Sequence, residues 1–322
     1  MRRHACILAT AGFLLAWSSP ATCRATATGG SENVAVALLS EHASIRPSEP
    51  FRVGLRMKMK KGWHTYWKQP GDAGLPLRIE WTLPPGFTAG PIEWPAPERI
   101  PTGDLVSYGY ERAVLLAVRI TPPASVAAES VSIAGNFDWL ECKDVCLAGS
   151  ARLALTLPVR PERARPGPAA PLFAEARARL PRSPDEWSLA ATAGSRAIEL
   201  SFRPPHGVSP RGGYLFVDQP LVAEHAAPQG FERIRDGYRL TFTPAENAAG
   251  PPRRLTGVLV LDGVPRSKGN AIAVNVEATA GDPAPAAAPA RPAWPGKPLY
   301  AILIALVALA LVAVLRRRAP GS

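Results

Sequence analysis

Two cysteines four residues apart, Cys142 and Cys146, are the side chains whose type and spacing could do chemistry. In an oxidising compartment such a pair can close a disulfide. The bridge would span only three residues. On the chain-entropy view stabilisation grows with the logarithm of loop length, so this bridge adds little beside one that joins distant strands. It suits opening and closing without unfolding. Thiol–disulfide exchange needs a thiolate, an accessible sulfur and a second cysteine that resolves the mixed disulfide. Lys143 favours a thiolate, whereas Asp138, Glu141 and Asp144 oppose one if they point at the sulfurs. Redox exchange, simple pinning of a loop and metal ligation all stay open at this point.

Metal ligation has one further set of candidates. Met57 and Met59 share a strand face and His64 follows closely, which are ligands suited to Cu(I). Methionines spaced this way in a strand more often pack. No Cys-x-x-Cys or His-x-x-x-His pattern strengthens the set, and no metal or cofactor is expected. Hydrolase and nucleotide-binding signatures are missing too: no Gly-x-Ser-x-Gly, no Gly-rich phosphate loop and no zinc-protease helix. The formal charge is +11. Part of that excess sits at the chain ends, and part at Arg160, Arg163 and Arg165. No basic run is interleaved with aromatics, so a nucleic-acid partner is not expected.

The two ends place the chemistry outside the cytoplasm. Arg2 and Arg3 precede the apolar stretch Ile7 to Trp17, and small residues follow, as in a signal peptide over residues 1–27 cleaved after Ala25 or Ala27. Cys6 and Cys23 would leave with it, so Cys142 and Cys146 would be the only cysteines of the mature chain. At the other end Leu299 to Leu315 carry no charge, and Arg316, Arg317 and Arg318 follow at once. As a helix this stretch would be roughly 25 Å long, near the lower limit for a membrane span. The arginines predict a cytoplasmic tail over residues 316–322. Residues 281–298, rich in Pro and Ala, should form a stalk reaching about 50 Å at about 3.1 Å per residue. The expected arrangement is single-pass anchoring with the body outside the cytoplasm.

Between these ends the text is mostly β, which positions the cysteines on strands. The chain has 322 residues, enough for two domains, and 47% are hydrophobic, enough for packed cores. Short alternating runs begin at Val34, Phe51, Leu77, Val114, Val131 and Ala151, with Pro and Gly clusters between them. They predict an immunoglobulin-like sandwich over residues 28–160. Pro161 to Ala170 reads as a linker, and Leu172 to Leu180 as a short helix. β text resumes at Trp187, Ala197, Tyr214, Tyr238, Leu255 and Ala271, predicting a second, smaller β domain over residues 171–280. The fold class is therefore all-β: two sandwiches plus one C-terminal transmembrane helix.

Four separated motifs carry a resemblance. Gly62 to Pro76 (Gly-Trp-His-Thr-Tyr-Trp-Lys-Gln-Pro-Gly-Asp-Ala-Gly-Leu-Pro), Ile92 to Pro101, Val106 to Glu111 and Trp139 to Cys146 resemble, in order and spacing, the periplasmic N-terminal region of DsbD/ScsB-type thiol:disulfide interchange proteins. Tyr214 to Pro220 and His225 to Gln229 are similar to the second β domain of the ScsB, copper-tolerance, branch. The resemblance covers roughly residues 34 to 280. It implies an immunoglobulin-like domain that passes reducing equivalents to oxidised periplasmic proteins. It implies that Cys146 forms the mixed disulfide and Cys142 resolves it, as a disulfide pair needing no bound cofactor. It also implies an aromatic cap over the pair. Trp63, Tyr66 and Trp67 are candidates, and Trp139 is a candidate partner contact; ordinary core packing is the competing reading for each aromatic. Full-length relatives continue into a polytopic membrane domain and a thioredoxin-like domain, neither of which is expected here, and the resemblance implies a place at the periplasmic face of the inner membrane. A separate membrane electron donor is therefore expected, with periplasmic thiol and disulfide proteins as partners. A non-enzymatic adaptor with a structural disulfide, and a copper-tolerance protein, are the rival readings.

Overall fold

The computed structural model describes residues 26–265 and 269–282. The expected signal peptide up to residue 25, the stalk beyond residue 282, the membrane helix at 299–315 and the tail lie outside them. Among the described residues no helix is long and apolar enough to cross a membrane.

The architecture is almost wholly β. In the first region a five-stranded sheet runs in the order β1 (Thr26–Gly30), β2 (Val34–Ser40), β3 (Phe51–Met59), β9 (Ala113–Thr121), β6 (Thr88–Glu93). A second sheet runs β11 (Cys146–Pro158), β10 (Ser130–Cys142), β4 (His64–Gly71), β8 (Leu105–Glu111), β7 (Glu98–Thr102), and β5 (Arg78–Thr82) also pairs with β10. Val36, Leu38, Val53, Leu55 and Met57 from one sheet share a single core with Ile133, Phe137, Trp139, Leu153 and Leu155 from the other. Alternation produces that core. On β10 the odd positions Val131, Ile133, Phe137 and Trp139 are buried, while Ser130, Ser132, Asn136 and Asp138 are exposed.

β10 and β11 form one long hairpin, antiparallel and in unbroken register from Ser130 opposite Pro158 to Cys142 opposite Cys146. Only Lys143, Asp144 and Val145 remain for the turn. The hairpin thus presents the cysteines at its tip.

The second region is one seven-stranded sheet in the order β14 (Gly212–Val217), β17 (Arg254–Asp262), β18 (Ala271–Ala280), β12 (Ser188–Ala193), β13 (Ile198–Arg203), β16 (Gly237–Phe242), β15 (Gly230–Ile234). The sequence predicts a second sandwich; the strands instead form a continuous sheet joined in its middle by the parallel β12–β18 pair. It rolls round its own core of Leu200, Phe202, Leu240, Leu259 and Ile272. The Gln229 side-chain amide closes the gap between its outer strands: Nε2 donates to the Leu215 carbonyl and Oε1 accepts from the Leu215 amide. A side chain there does the work of a backbone ladder, a substitution that strand periodicity cannot reveal.

Between the two regions lies α1 (Ala170–Ala178). The sequence places it at the start of the second domain, yet its buried residues Phe173 and Ala176 pack on Leu39, Leu115 and Ala117 of the five-stranded sheet. The preceding linker is tied down as well, since the Gly167 amide donates to the Glu41 carbonyl and the Ala43 amide to the Arg165 carbonyl. An Ala/Arg-rich helix carries too narrow an apolar stripe to say which sheet it will cover.

Candidate functional site

Cys142 and Cys146 are joined in a disulfide across the hairpin tip. The two sulfurs are not equivalent. Cys142 is 3% exposed, whereas Cys146 is exposed to solvent. The difference follows from strand order. β11 is an edge strand, and Cys146 is its first residue. β10 is flanked on its other side by β4, whose His64 stands directly opposite Cys142.

Two residues along β4 from His64, on the same face, the Tyr66 hydroxyl donates a hydrogen bond to Cys142 Sγ at 2.7 Å and lies 3.5 Å from Cys146 Sγ. Burial pushes the Tyr66 hydroxyl above its usual pKa, and a hydrogen bond with the Ser107 side chain offsets part of that. It therefore stays protonated and remains a donor. The His64 ring meets the Tyr66 ring edge-on, with centroids 5.2 Å apart. Burial lowers the His64 pKa, and the nearby Glu111 charge only partly opposes the shift, so the imidazole is neutral near pH 7. Cys142 thus has a neutral donor and a neutral ring beside it.

The segment after β4 covers this cluster. Gly74 has φ +113° and lies so close to the Tyr66 ring that a Cβ there would come within 2.2 Å of it. Only glycine tolerates both the backbone angle and the contact. Leu75, next along, is exposed. With Pro76, Leu77, Trp139, Leu140, Ala148 and Gly149 it lines an open, mainly apolar groove of about 740 Å³ on the cysteine-bearing hairpin, which Arg78, Asp138 and Ser150 also border. Val145 and Leu147 are exposed on either side of Cys146.

The acidic residues near the pair do not act on it as a block. Glu141 is 1% exposed and turns to the face opposite Cys142. Its carboxylate accepts from Ser31 Oγ at 2.6 Å, Asn33 Nδ2 at 3.0 Å and Trp139 Nε1 at 2.9 Å. Asp144 is exposed and pairs with Lys143 at 3.8 Å. Asp138 is exposed four residues down the strand.

Of the aromatic cap candidates, Tyr66 alone touches the disulfide. Trp63 is half-buried and packs on the core. Trp67 is fully buried and meets Phe216 of the second region edge-on. Trp139 is buried over Gly149, its cross-strand partner. Met57 and Met59 lie in the core opposite Val36 and Val34, and His64 sits at the disulfide instead of beside them. Among the described residues no group of three or more His, Cys, Asp or Glu could hold a metal ion. Sequence reasoning missed Gly74, Asp72 and the Ser31–Asn33–Glu141 cluster. The Asp-Ala-Gly run was the only available signal for the first two.

Similarity to known proteins follows the geometry. Residues 35–158 match the family described as thiol:disulfide interchange protein DsbD, N-terminal. No curated protein matches the sequence. The crystal structure of the N-terminal periplasmic domain of ScsB from Proteus mirabilis superposes with a TM-score of 0.59 at 20% identity, covering 78% of this chain and 95% of that one. A protein of unknown function from Porphyromonas gingivalis W83 (TM-score 0.22, 11% identity, 74% of this chain and 99% of that one) and the periplasmic chaperone SfaE (TM-score 0.21, 8% identity, 76% and 100%) superpose too poorly to carry an argument. The hairpin bearing Cys142 and Cys146 thus lies in a stretch that matches the DsbD N-terminal family, and the body around it resembles the periplasmic region of ScsB.

Proposed function

We propose that this chain is a membrane-tethered, periplasmic thiol:disulfide exchange protein, working through Cys142 and Cys146. The unequal exposure of the two sulfurs carries the reading. Attack by an incoming thiolate is directed to Cys146, the exposed residue, because Cys142 is buried. Its attack forms a mixed disulfide with Cys146 and breaks the Cys142–Cys146 bond. The electron pair leaves on Cys142 Sγ, where the Tyr66 hydroxyl already donates. A second thiolate of the donor then attacks its own half of the mixed disulfide and releases Cys146 reduced. In the other half-cycle the Cys146 thiolate attacks a target disulfide and expels one target thiolate. Cys142 attacks Cys146 Sγ and expels the second. Each cycle moves two electrons and two protons from donor to target.

The hairpin supports this economy. Its register is held along 13-residue strands, so opening the disulfide leaves the ladder in place. The wider reading is an immunoglobulin-like exchange domain over residues 28–160, followed by a linker and a second β domain. Beyond residue 280 come a stalk and a single membrane span with the tail inside. The electron donor would be a separate membrane reductase, as the similarity to DsbD-type proteins suggests, and the acceptors would be oxidised envelope proteins. The Cys142→Ser variant should accumulate mixed disulfides with envelope proteins through Cys146, whereas Cys146→Ser should trap none. If neither variant traps a partner and the wild-type disulfide resists thioredoxin-like reductants, the proposal fails.

A further inference from the structure

The second region touches the strand and loop that cover Cys142, at three places. Phe216 meets Trp67 edge-on, with centroids 6.5 Å apart. Asp218 pairs with Lys68. His225 Nδ1 lies 2.7 Å from Asp72 Oδ1. Trp67 and Lys68 directly follow Tyr66 on β4, and Asp72 opens the segment that carries Gly74 onto the Tyr66 ring.

The His225 contact is the most strongly built of the three. His225 is 6% exposed, and its ring packs edge-on against Tyr108, 4.9 Å between centroids. Its backbone carbonyl accepts from Arg99 and from the Tyr214 hydroxyl, which also bonds the Tyr108 hydroxyl at 3.0 Å. Asp72 is gripped from its own side too: its Oδ2 accepts from the Val106 amide at 2.7 Å, and its amide donates to the Val106 carbonyl. One carboxylate therefore joins both regions at the root of the covering segment.

We infer that His225 is a positioning residue for the disulfide: through Asp72 it holds residues 72–77 against Tyr66 and so keeps Cys142 covered. The second region is then more than a spacer, because it sets which of the two sulfurs a partner can reach. This rests on the exchange reading above, but its test does not need a partner.

The test uses the full chain reduced and carrying Cys146→Ser, with iodoacetamide as the probe. The Cys142 thiolate displaces iodide, and alkylation is timed on the Cys142-containing peptide by mass spectrometry. Adding His225→Phe keeps a ring against Tyr108 and removes the bond to Asp72; alkylation should become severalfold faster. His225→Asn restores an amide donor towards Asp72 and should return the rate close to that of the parent. Should His225→Phe fail to fold, Asp72→Ser serves. It keeps an acceptor near the Val106 amide but is too short to reach the imidazole, and it should also speed alkylation. In a Cys142→Ser background the exposed Cys146 should react at one rate with or without His225→Phe, which separates uncovering from general loosening. An unchanged Cys142 rate in the folded variants overturns the inference, as does equal acceleration at Cys146. Partner trapping by Cys142→Ser alone is read separately. Trapping without any change in Cys142 alkylation defeats this inference and leaves the exchange reading intact, and the converse result defeats only the exchange reading.

Discussion

At the scale of single residues, the site separates two sulfurs that share a bond. Edge position exposes Cys146, while Tyr66 and His64 flank Cys142 and Gly74 closes on the Tyr66 ring. His64 gives this arrangement a pH signature. Burial depresses its pKa in the folded protein, with Glu111 opposing. Below about pH 6.5, the value for an exposed histidine, the unfolded chain takes up a proton that the native site refuses. Unfolding then binds protons, so stability falls as pH drops through that value towards the lower native one; above it the residue contributes no pH dependence. Urea midpoints measured at about pH 7 and about pH 5 should therefore fall on acidification, and His64→Phe, which keeps an aromatic edge on Tyr66, should lessen the fall. An equal fall in the variant would mean that His64 is not the group responsible.

At the scale of elements, the β10–β11 hairpin does most of the positioning. Trp139 lies on Gly149, where an added Cβ would approach the indole to 2.3 Å. The indole cannot move freely, because its Nε1 is bonded to buried Glu141. Gly149→Ala should therefore lower stability by about 1–3 kcal/mol, the usual range for overpacking, seen as a lower urea midpoint with an unchanged slope. An unchanged midpoint would show that the ring is not held there. The two strands that flank the cysteines were legible in the sequence: Val131 to Phe137 and Ala151 to Leu157 fall within β10 and β11. β4 was not. Gly62 to Pro76 reads as turn-rich, yet His64–Gly71 is a strand whose ladder to β8 shifts register between Tyr66 and Gly71, around Pro70. Proline can sit in a strand at such an irregularity, so its presence hid the element that holds Tyr66. β8 was missed for a related reason. Its Ser107, Tyr108, Gly109 and Tyr110 are all buried and do not alternate. The cysteine pair was plain from spacing, but its asymmetry depends on which strand is at the edge, and that is a property of topology alone.

At the scale of the whole molecule, the two β regions meet at an aromatic seam of Trp67, Tyr108, Tyr214 and Phe216. Phe216, Val258 and Ala271 of the second region join the core of the first. Such a seam gives the second region a hold on β4 and on the cover of Cys142. Stability does not need the disulfide for this. On the chain-entropy view a loop this small contributes about 2 kcal/mol, against about 3 kcal/mol for a 15-residue loop. A bridge of modest structural value, with Cys146 exposed and a donor on Cys142, is what the proposed exchange requires. The reduction potential of the Cys142–Cys146 pair tests that claim most directly. Equilibrated against a thiol redox buffer of known poise, it should lie above about −300 mV, within the range of exchange-active pairs. A potential below about −300 mV would mark a structural bridge and contradict the account.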